Sequence, residues 1–383
     1  MSDDLPNNPA LLPAGLRDLL PPEAETEASA VESLMEVFAS HGYQRVKPPL
    51  LEFEDSLLAG SGAAVAEQTF RLMDPESQRM MGLRADTTPQ VARIAATRLA
   101  QAPRPLRLSY AGQCLRVRGS QLAPDRQIAQ AGVELIGCDN PAADAEIVLV
   151  GAEALASVGL TRTSFDLTLP TLVPVLLDDA GLSGSTRAAL ARALDRKDAA
   201  AVARHGGVLA PTLTDLLMAA GPADRALLAL EAAGLPPAAR ELAGRLAEAV
   251  AAIRARAPTL RLTVDPVEFR GMRYETGISV TIYAPGRHEE LGRGGRYLCE
   301  AESATGLTLY PDAVLRAAPP RAPRQRLYVP LGVDQDEAAR MRRLGYATIA
   351  ALGPEDDPAA EAQRLLCSHI LRGGSAVPLN SGT

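Results

Sequence analysis

The segment that most constrains this chain runs from Cys114 to Gly137. Two arms of alternating character flank a Gly-Ser-Gln-Leu-Ala-Pro-Asp turn, which is the pattern of a β-hairpin. Side chains on a strand alternate between faces, so Arg116 and Arg118 share one face of the first arm, and Gln130, Gly132 and Glu134 share one face of the second. A glycine between two polar side chains leaves room there for a ligand. Ile128 and Ile136 have the same parity, so the alternation alone fits equally well an ordinary core face with a few satisfied polar groups.

Around this hairpin the chain changes character several times. Val31, Leu34, Met35 and Phe38 recur at helical spacing ahead of an extended Arg45-Val-Lys-Pro-Pro-Leu-Leu-Glu segment. From about Gly184 to Arg256 the sequence is rich in Ala and Leu and broken by Gly206-Gly207, Gly221-Pro222 and Gly234-Leu-Pro-Pro237, which predicts a run of short helices inserted between halves of a sheet. Strand character returns at Leu260-Arg-Leu-Thr-Val and Gly277-Ile-Ser-Val-Thr-Ile-Tyr. Ala317-Ala-Pro-Pro-Arg-Ala-Pro-Arg324 is a stiff linker. Beyond it, Leu327-Tyr-Val-Pro-Leu-Gly, a helix from Asp336 to Leu344 and Tyr346-Ala-Thr-Ile-Ala-Ala-Leu make a β-α-β unit.

Composition excludes more than it selects. At 383 residues the chain can hold two or three units with a sizeable core. A net charge of -7 gives no overall field for nucleic acid. Cys114, Cys138, Cys299 and Cys367 lie far apart with no Cys-x-x-Cys pair, so they read as buried free thiols rather than metal ligands or a disulfide framework. The acidic start lacks an apolar stretch and no long uncharged apolar run follows, which argues against secretion and membrane insertion and for a cytoplasmic protein.

Several motifs, in order, resemble those of histidyl-tRNA synthetases, class II aminoacyl-tRNA synthetases. Pro13-Ala-Gly-Leu-Arg-Asp18 and Gly42-Tyr43…Pro49-Leu-Leu-Glu52 resemble the family's opening and its motif 1, a segment of the dimer interface. Leu83-Arg84-Ala-Asp86-Thr-Thr88-Pro-Gln-Val-Ala-Arg93 resembles Leu-Arg-Pro-Glu-x-Thr, which holds the amino group of histidine. Arg116 with Gln130-x-x-x-Glu134 resembles motif 2. Phe269-Arg270-Gly271-Met-Arg-Tyr274-Glu275-Thr276-Gly277 resembles the histidine-specific Arg-Gly-Leu-Asp-Tyr-Tyr-Thr-Gly, and Gly292-Arg-Gly-Gly295-Arg296-Tyr297 resembles Gly-Gly-Arg-Tyr. The similarity runs from about Pro13 to Ala317.

Free histidine presents an ammonium, a carboxylate and an imidazole, so its site needs acceptors, a guanidinium and a ring partner. The resemblance implies that Asp86, Thr88 and Gln130 take the ammonium, Arg116 and Arg270 the carboxylate, and Glu134 the imidazole, with Tyr274 in the same pocket. Glu275 stands where the family has a ring-binding tyrosine.

The departures concern ATP. Two residues after the motif 2 arginine the synthetases carry a glutamate that accepts from the adenine amino group; here Arg118 stands there, and a guanidinium only donates. In Gly306-Leu-Thr-Leu-Tyr310-Pro311-Asp312-Ala313, Tyr310 replaces the motif 3 glycine and Ala313 its phosphate-binding arginine, unless Arg316 reaches in from one turn on. A histidine pocket without adenylation chemistry is similar to the regulatory subunits of ATP phosphoribosyltransferase. That resemblance implies a non-catalytic, histidine-sensing partner of a catalytic phosphoribosyltransferase subunit at the first step of histidine biosynthesis, a homodimer through its class II core, needing no cofactor or metal.

The expected fold is therefore α+β: a class II synthetase-like antiparallel sheet flanked by helices, in two core parts, 1–183 and 259–317, around a helical insertion at 184–258. A linker at 318–325 leads to a truncated anticodon-binding-like α/β unit at 326–383. Two other functions fit parts of the sequence. Val175-Leu-Leu-Asp178-Asp179-Ala-Gly-Leu-Ser-Gly-Ser-Thr186 superficially resembles a phosphoribosyl-pyrophosphate loop, with paired acids and a small-residue turn. An active histidine-activating synthetase-like enzyme is the other alternative, opposed by Arg118, Tyr310 and Ala313.

Overall fold

In the computed structural model, which describes residues 11–119, 124–268 and 275–379, the hairpin arms are two ten-residue strands, Leu106–Leu115 and Gln127–Ile136. They pair antiparallel from Leu106 opposite Ile136 to Leu115 opposite Gln127. These arms sit inside a nine-stranded sheet whose order is Gln44–Arg45, Leu106–Leu115, Gln127–Ile136, Glu302–Leu309, Glu290–Cys299, Glu275–Tyr283, Ser164–Thr168, Arg261–Asp265 and Gly221–Pro222. The centre is antiparallel. Parallel pairs occur at Gln44–Arg45 beside Leu106–Leu115 and at Ser164–Thr168 beside Arg261–Asp265.

The second parallel pair explains the Ala/Leu-rich run. Parallel neighbours need a long crossover, because a tight turn cannot bring the chain back in the same direction. Here the crossover is helical: Leu172–Asp179, Gly184–Asp195, Ala199–His205, Ala210–Ala219, Ala223–Ala232 and Pro237–Arg256. These helices do not stand apart from the sheet. Leu190, Leu194, Leu213, Leu216, Leu246 and Ile253 share one core with Val133, Phe165, Leu167, Val280, Ile282 and Leu307 of the strands. The Val175 to Thr186 run is the end of one helix and the start of the next, with Asp178 ion-paired to Arg187 at the surface. It forms no cradle for phosphate.

One face of the sheet is thus covered by Glu23–Ser40, Pro141–Ser157 and the crossover helices. The first buries Leu34, Met35 and Phe38, as the spacing predicts. The second starts at Pro141, with the Asn140 side chain accepting from the Ala142 amide at 2.8 Å. On the opposite face the helix Thr88–Thr97 packs closely, setting Val91 and Ala95 against Leu108, Tyr110, Ile136, Tyr297 and Ala304. A small sheet of Leu51–Phe53, Met80–Leu83 and Arg71–Met73 precedes that helix.

The chain divides into two units at Pro319/Pro320. The second contains the expected β-α-β: Arg326–Val329, the helix Gln335–Arg343 and Ala347–Ala350, the strands parallel. It continues with a helix, Pro358–Arg364, and an antiparallel pair, His369–Arg372 with Ser375–Pro378, to make a four-stranded sheet. Strands of four residues show too little period for the sequence alone to reveal these last elements.

Candidate functional site

Register across the sheet builds a hollow on its less covered face. Glu134 lies opposite Gly306, Gly306 opposite Gly295, and Gly295 opposite Ser279. Two adjacent glycines in a row remove the side chains that would otherwise fill the space. The next row carries Gly132, Thr308, Arg293 and Thr281. The resulting narrow cleft is lined by Asp86, Thr88, Glu134, Glu275, Arg293 and Tyr310, among others.

Glu134 is the centre of its bonding. Thr88 Oγ1 donates to Oε1 at 2.9 Å and Tyr297 OH donates to Oε2 at 2.9 Å. Tyr110 OH lies 3.4 Å from Oε1 and 2.7 Å from Thr308 Oγ1. Burial pushes the Glu134 carboxyl up to about 8, against these hydroxyl donors, which pull it down. Burial, then the nearby Glu134 charge, raises the Tyr110 and Tyr297 phenols well above their ordinary value, so both stay protonated donors. Asp86 Oδ1 accepts from the Thr88 amide at 3.1 Å and from Gln130 Nε2 at 3.4 Å. Gln130 Oε1 in turn accepts from the Thr87 amide at 3.0 Å. Gln130 therefore fixes the turn that carries Asp86 and Thr88, from just outside the cleft lining.

Of the residues expected at a site, Asp86, Thr88, Glu134 and Glu275 line one cleft. Glu275 turns inward: it is buried, and Ser279 Oγ donates to its Oε1 at 3.1 Å. Arg116 lies outside that lining, with Nε 3.5 Å from the Ala85 carbonyl. Arg270 and Tyr274 fall outside the described residues. The space beside Gly132 corrects an expectation: a Cβ there would stand 2.6 Å from Tyr110 Cζ and 2.7 Å from the Leu307 carbonyl oxygen, so it houses a phenol of the neighbouring strand rather than a ligand.

Arg293 was missed. It follows the strand parity that puts Arg293, Gly295 and Tyr297 on one face, a signal present in the sequence but overshadowed by the motif arginine beside it. One guanidinium nitrogen donates to Glu290 Oε1 at 2.7 Å, while Nε is buried without a partner among the described residues. Burial lowers its affinity for a proton, but Glu290, Tyr310 and Glu275 outweigh this and the net shift is upward. Arg296 points the other way and is structural. Its guanidinium reaches Asp144 Oδ2 at 2.8 and 3.1 Å and the Cys138 and Asn140 carbonyls, all below the sheet.

Tyr310 lines the cleft where a glycine would open it, and its phenol is pushed up to about 12 by burial. Ala313 is buried in the main core. Arg316, the candidate for reaching in, pairs with Glu289 at 2.5 Å on the surface. No group of three His, Cys, Asp or Glu residues suited to a metal occurs among the described residues. Among the described residues no helix is long and apolar enough to cross a membrane.

The histidyl-tRNA synthetase family profile matches residues 15–314. A Paramagnetospirillum magneticum protein named "ATP phosphoribosyltransferase regulatory subunit" is 57% identical over 95% of this chain and 96% of its own length. One of the same name from Gluconobacter oxydans is 55% identical over 97% of both chains. Among solved structures, an "ATP phosphoribosyltransferase regulatory subunit/histidyl-tRNA synthetase" from Bacillus halodurans superposes with a TM-score of 0.77 at 24% identity, covering 92% of this chain and 96% of its own. The histidyl-tRNA synthetase of a Nostoc species gives 0.75 at 17% identity, over 94% and 90%. These superpositions show the class II synthetase fold.

Proposed function

Since this chain belongs to the family of ATP phosphoribosyltransferase regulatory subunits, a branch of the histidyl-tRNA synthetase fold, we propose that it is the non-catalytic subunit that senses histidine for a catalytic phosphoribosyltransferase partner in histidine biosynthesis. The observation that carries this reading is the near-full-length identity with proteins of that name. The cleft supports it. Asp86, Thr88 and Glu275 offer acceptors to an ammonium and a ring N–H, and Glu134 gives up its proton when a cationic ligand arrives. Arg293, with a donor to spare, takes the ligand carboxylate together with Arg270 and Arg116. Gln130 holds the turn, and Tyr274 completes the pocket by resemblance.

The active-synthetase alternative lacks support at the phosphate end. Tyr310 occupies the cleft, Ala313 is in the core and Arg316 is committed to Glu289. A homodimer is supported by the exposed apolar edge of the small sheet, where Met73 and Met80 lie opposite one another beside exposed Leu72 and Leu50. The protein works in the cytoplasm, where this biosynthetic step belongs.

Calorimetry of the isolated chain with histidine and with ATP is the test, alongside phosphoribosyl-ATP formation with and without the catalytic subunit. Histidine binds, ATP gives no adenylate, and the chain alone forms no phosphoribosyl-ATP. Histidine-dependent exchange of pyrophosphate into ATP would overturn the non-catalytic reading.

A further inference from the structure

The sheet face that carries the cleft continues past it to an edge with a different chemistry. Tyr283 lies opposite Ser164, and Ser164 opposite Arg261, so three neighbouring strands bring these residues into one row. The loops just beyond the row carry Arg162, Arg287 and His288. Together they line a groove of about 750 Å³, open to solvent, into which three arginines and a histidine face with one carboxylate, Asp166. That carboxylate is already engaged by hydroxyls: Ser164 Oγ donates to Oδ1 at 2.9 Å, and Thr263 Oγ1 donates to the same atom.

Arg162, Arg261 and Arg287 make no side-chain hydrogen bond or ion pair among the described residues. Elsewhere several arginines close ion pairs, while others at the surface, such as Arg98, Arg192, Arg204 and Arg372, are solvated like these three. Arg17 pairs with Glu23, Arg104 with Glu302, Arg107 with Glu146 and Arg316 with Glu289. A chain with 46 acidic against 39 basic side chains has carboxylates to spare, yet none closes on these three. Its walls mix guanidinium, hydroxyl and backbone with the apolar Leu260, Tyr283 and Pro285. Planar guanidinium forks suit carboxylates presented in series along a chain.

We propose that this groove docks an acidic segment of the protein partner, with Arg162, Arg261 and Arg287 each meeting a carboxylate. The proposal rests on the reading that the chain acts within a hetero-oligomer. Docking of this kind speeds encounter and fixes orientation, and it weakens with salt because the charges are exposed.

The test uses the full chain in two titrations. Labelled hexaglutamate binds the wild-type protein and weakens as salt rises from about 50 to 200 mM. Arg162→Glu/Arg261→Glu/Arg287→Glu loses that binding by about tenfold or more. The same variant loses about tenfold or more in affinity for the catalytic subunit while titrating with histidine as the wild type does. A second variant with glutamine at all three positions gives an intermediate loss, guarding against a folding defect in the first. Equal binding of hexaglutamate by wild type and variant overturns the proposal. So does unchanged assembly with the catalytic subunit, which leaves the regulatory reading standing. Inorganic phosphate or ATP that binds the groove while hexaglutamate does not makes it a small-anion site and overturns the docking role. If the wild-type chain fails to assemble with the catalytic subunit at all, the regulatory reading fails and the peptide titration alone decides the groove.

Discussion

The cleft around Glu134 and the arginine groove occupy one face of one sheet, yet they handle charge in opposite ways. In the cleft every carboxylate is tied to named donors: Glu134 to Thr88 and Tyr297, Asp86 to the Thr88 amide and Gln130, Glu275 to Ser279. In the groove the guanidiniums stand in water without partners. Burial makes the difference. A charge removed from water must be bonded or neutralised, so the cleft is stereospecific and its groups have shifted proton affinities. A solvated charge needs neither, and it acts at longer range with less geometric demand.

The sharpest way to break this contrast is pH. The Glu134 carboxyl rises from 4.5 to about 8 in the folded chain. A raised folded value means its stabilising contribution is whole below about 4.5 and is lost as pH climbs through about 8. At about 1.4 kcal/mol per unit, the loss is on the order of 5 kcal/mol at most. Denaturant unfolding of the empty protein across that range measures it, and Glu134→Gln flattens the slope. If wild type and variant share one pH profile, the buried carboxyl is not the source.

Next in size is Arg293→Ala, which weakens histidine by about 2–5 kcal/mol, because a desolvated carboxylate loses its counter-charge. Titration calorimetry reads this directly. An unchanged affinity would leave Arg270 and Arg116 as the whole carboxylate clamp.

Gly306→Ala sharpens the steric side of the comparison. The added methyl runs into the Glu134 carboxylate, so overpacking costs about 1–3 kcal/mol in stability. Histidine affinity falls with it. Equal melting and equal affinity would mean that Glu134 has somewhere else to go.

The smallest effect belongs to the groove. Arg162→Ala changes stability by no more than about 0.5 kcal/mol, as for an unpaired surface side chain, and leaves histidine binding alone at any salt concentration. A larger change in melting would reveal a structural role for a guanidinium that has none in the description above.

Much of the cleft was legible in the sequence. Parity alone placed Gln130 and Glu134 on one face of a hairpin, and family resemblance set Asp86 and Thr88 across from them. What parity cannot tell is which neighbour fills a gap. Gly132 reads as room, but the register puts Tyr110 directly opposite it, and the phenol takes the space. The Gly292-Arg-Gly-Gly295-Arg296 run carries two arginines on opposite faces of its strand. The arginine inside the motif, Arg296, pins the sheet to Asp144, whereas Arg293 faces the cleft. The helical run was evident from composition, but its packing into the main core was not, since a composition boundary carries no information about which faces meet.

The strand order also sets a timetable. Glu134 belongs to a strand made early, but its partner Tyr297 follows 163 positions later, and Gly306 later still. At synthesis rates of about 5–20 residues per second, the hairpin waits on the order of 10–30 seconds for the strand that completes its row. Throughout that interval the edge of Gln127–Ile136 has only Leu106–Leu115 beside it, and the carboxyl has no hollow to enter. A nascent chain therefore completes the cleft around Glu134 only after the crossover helices have been synthesised.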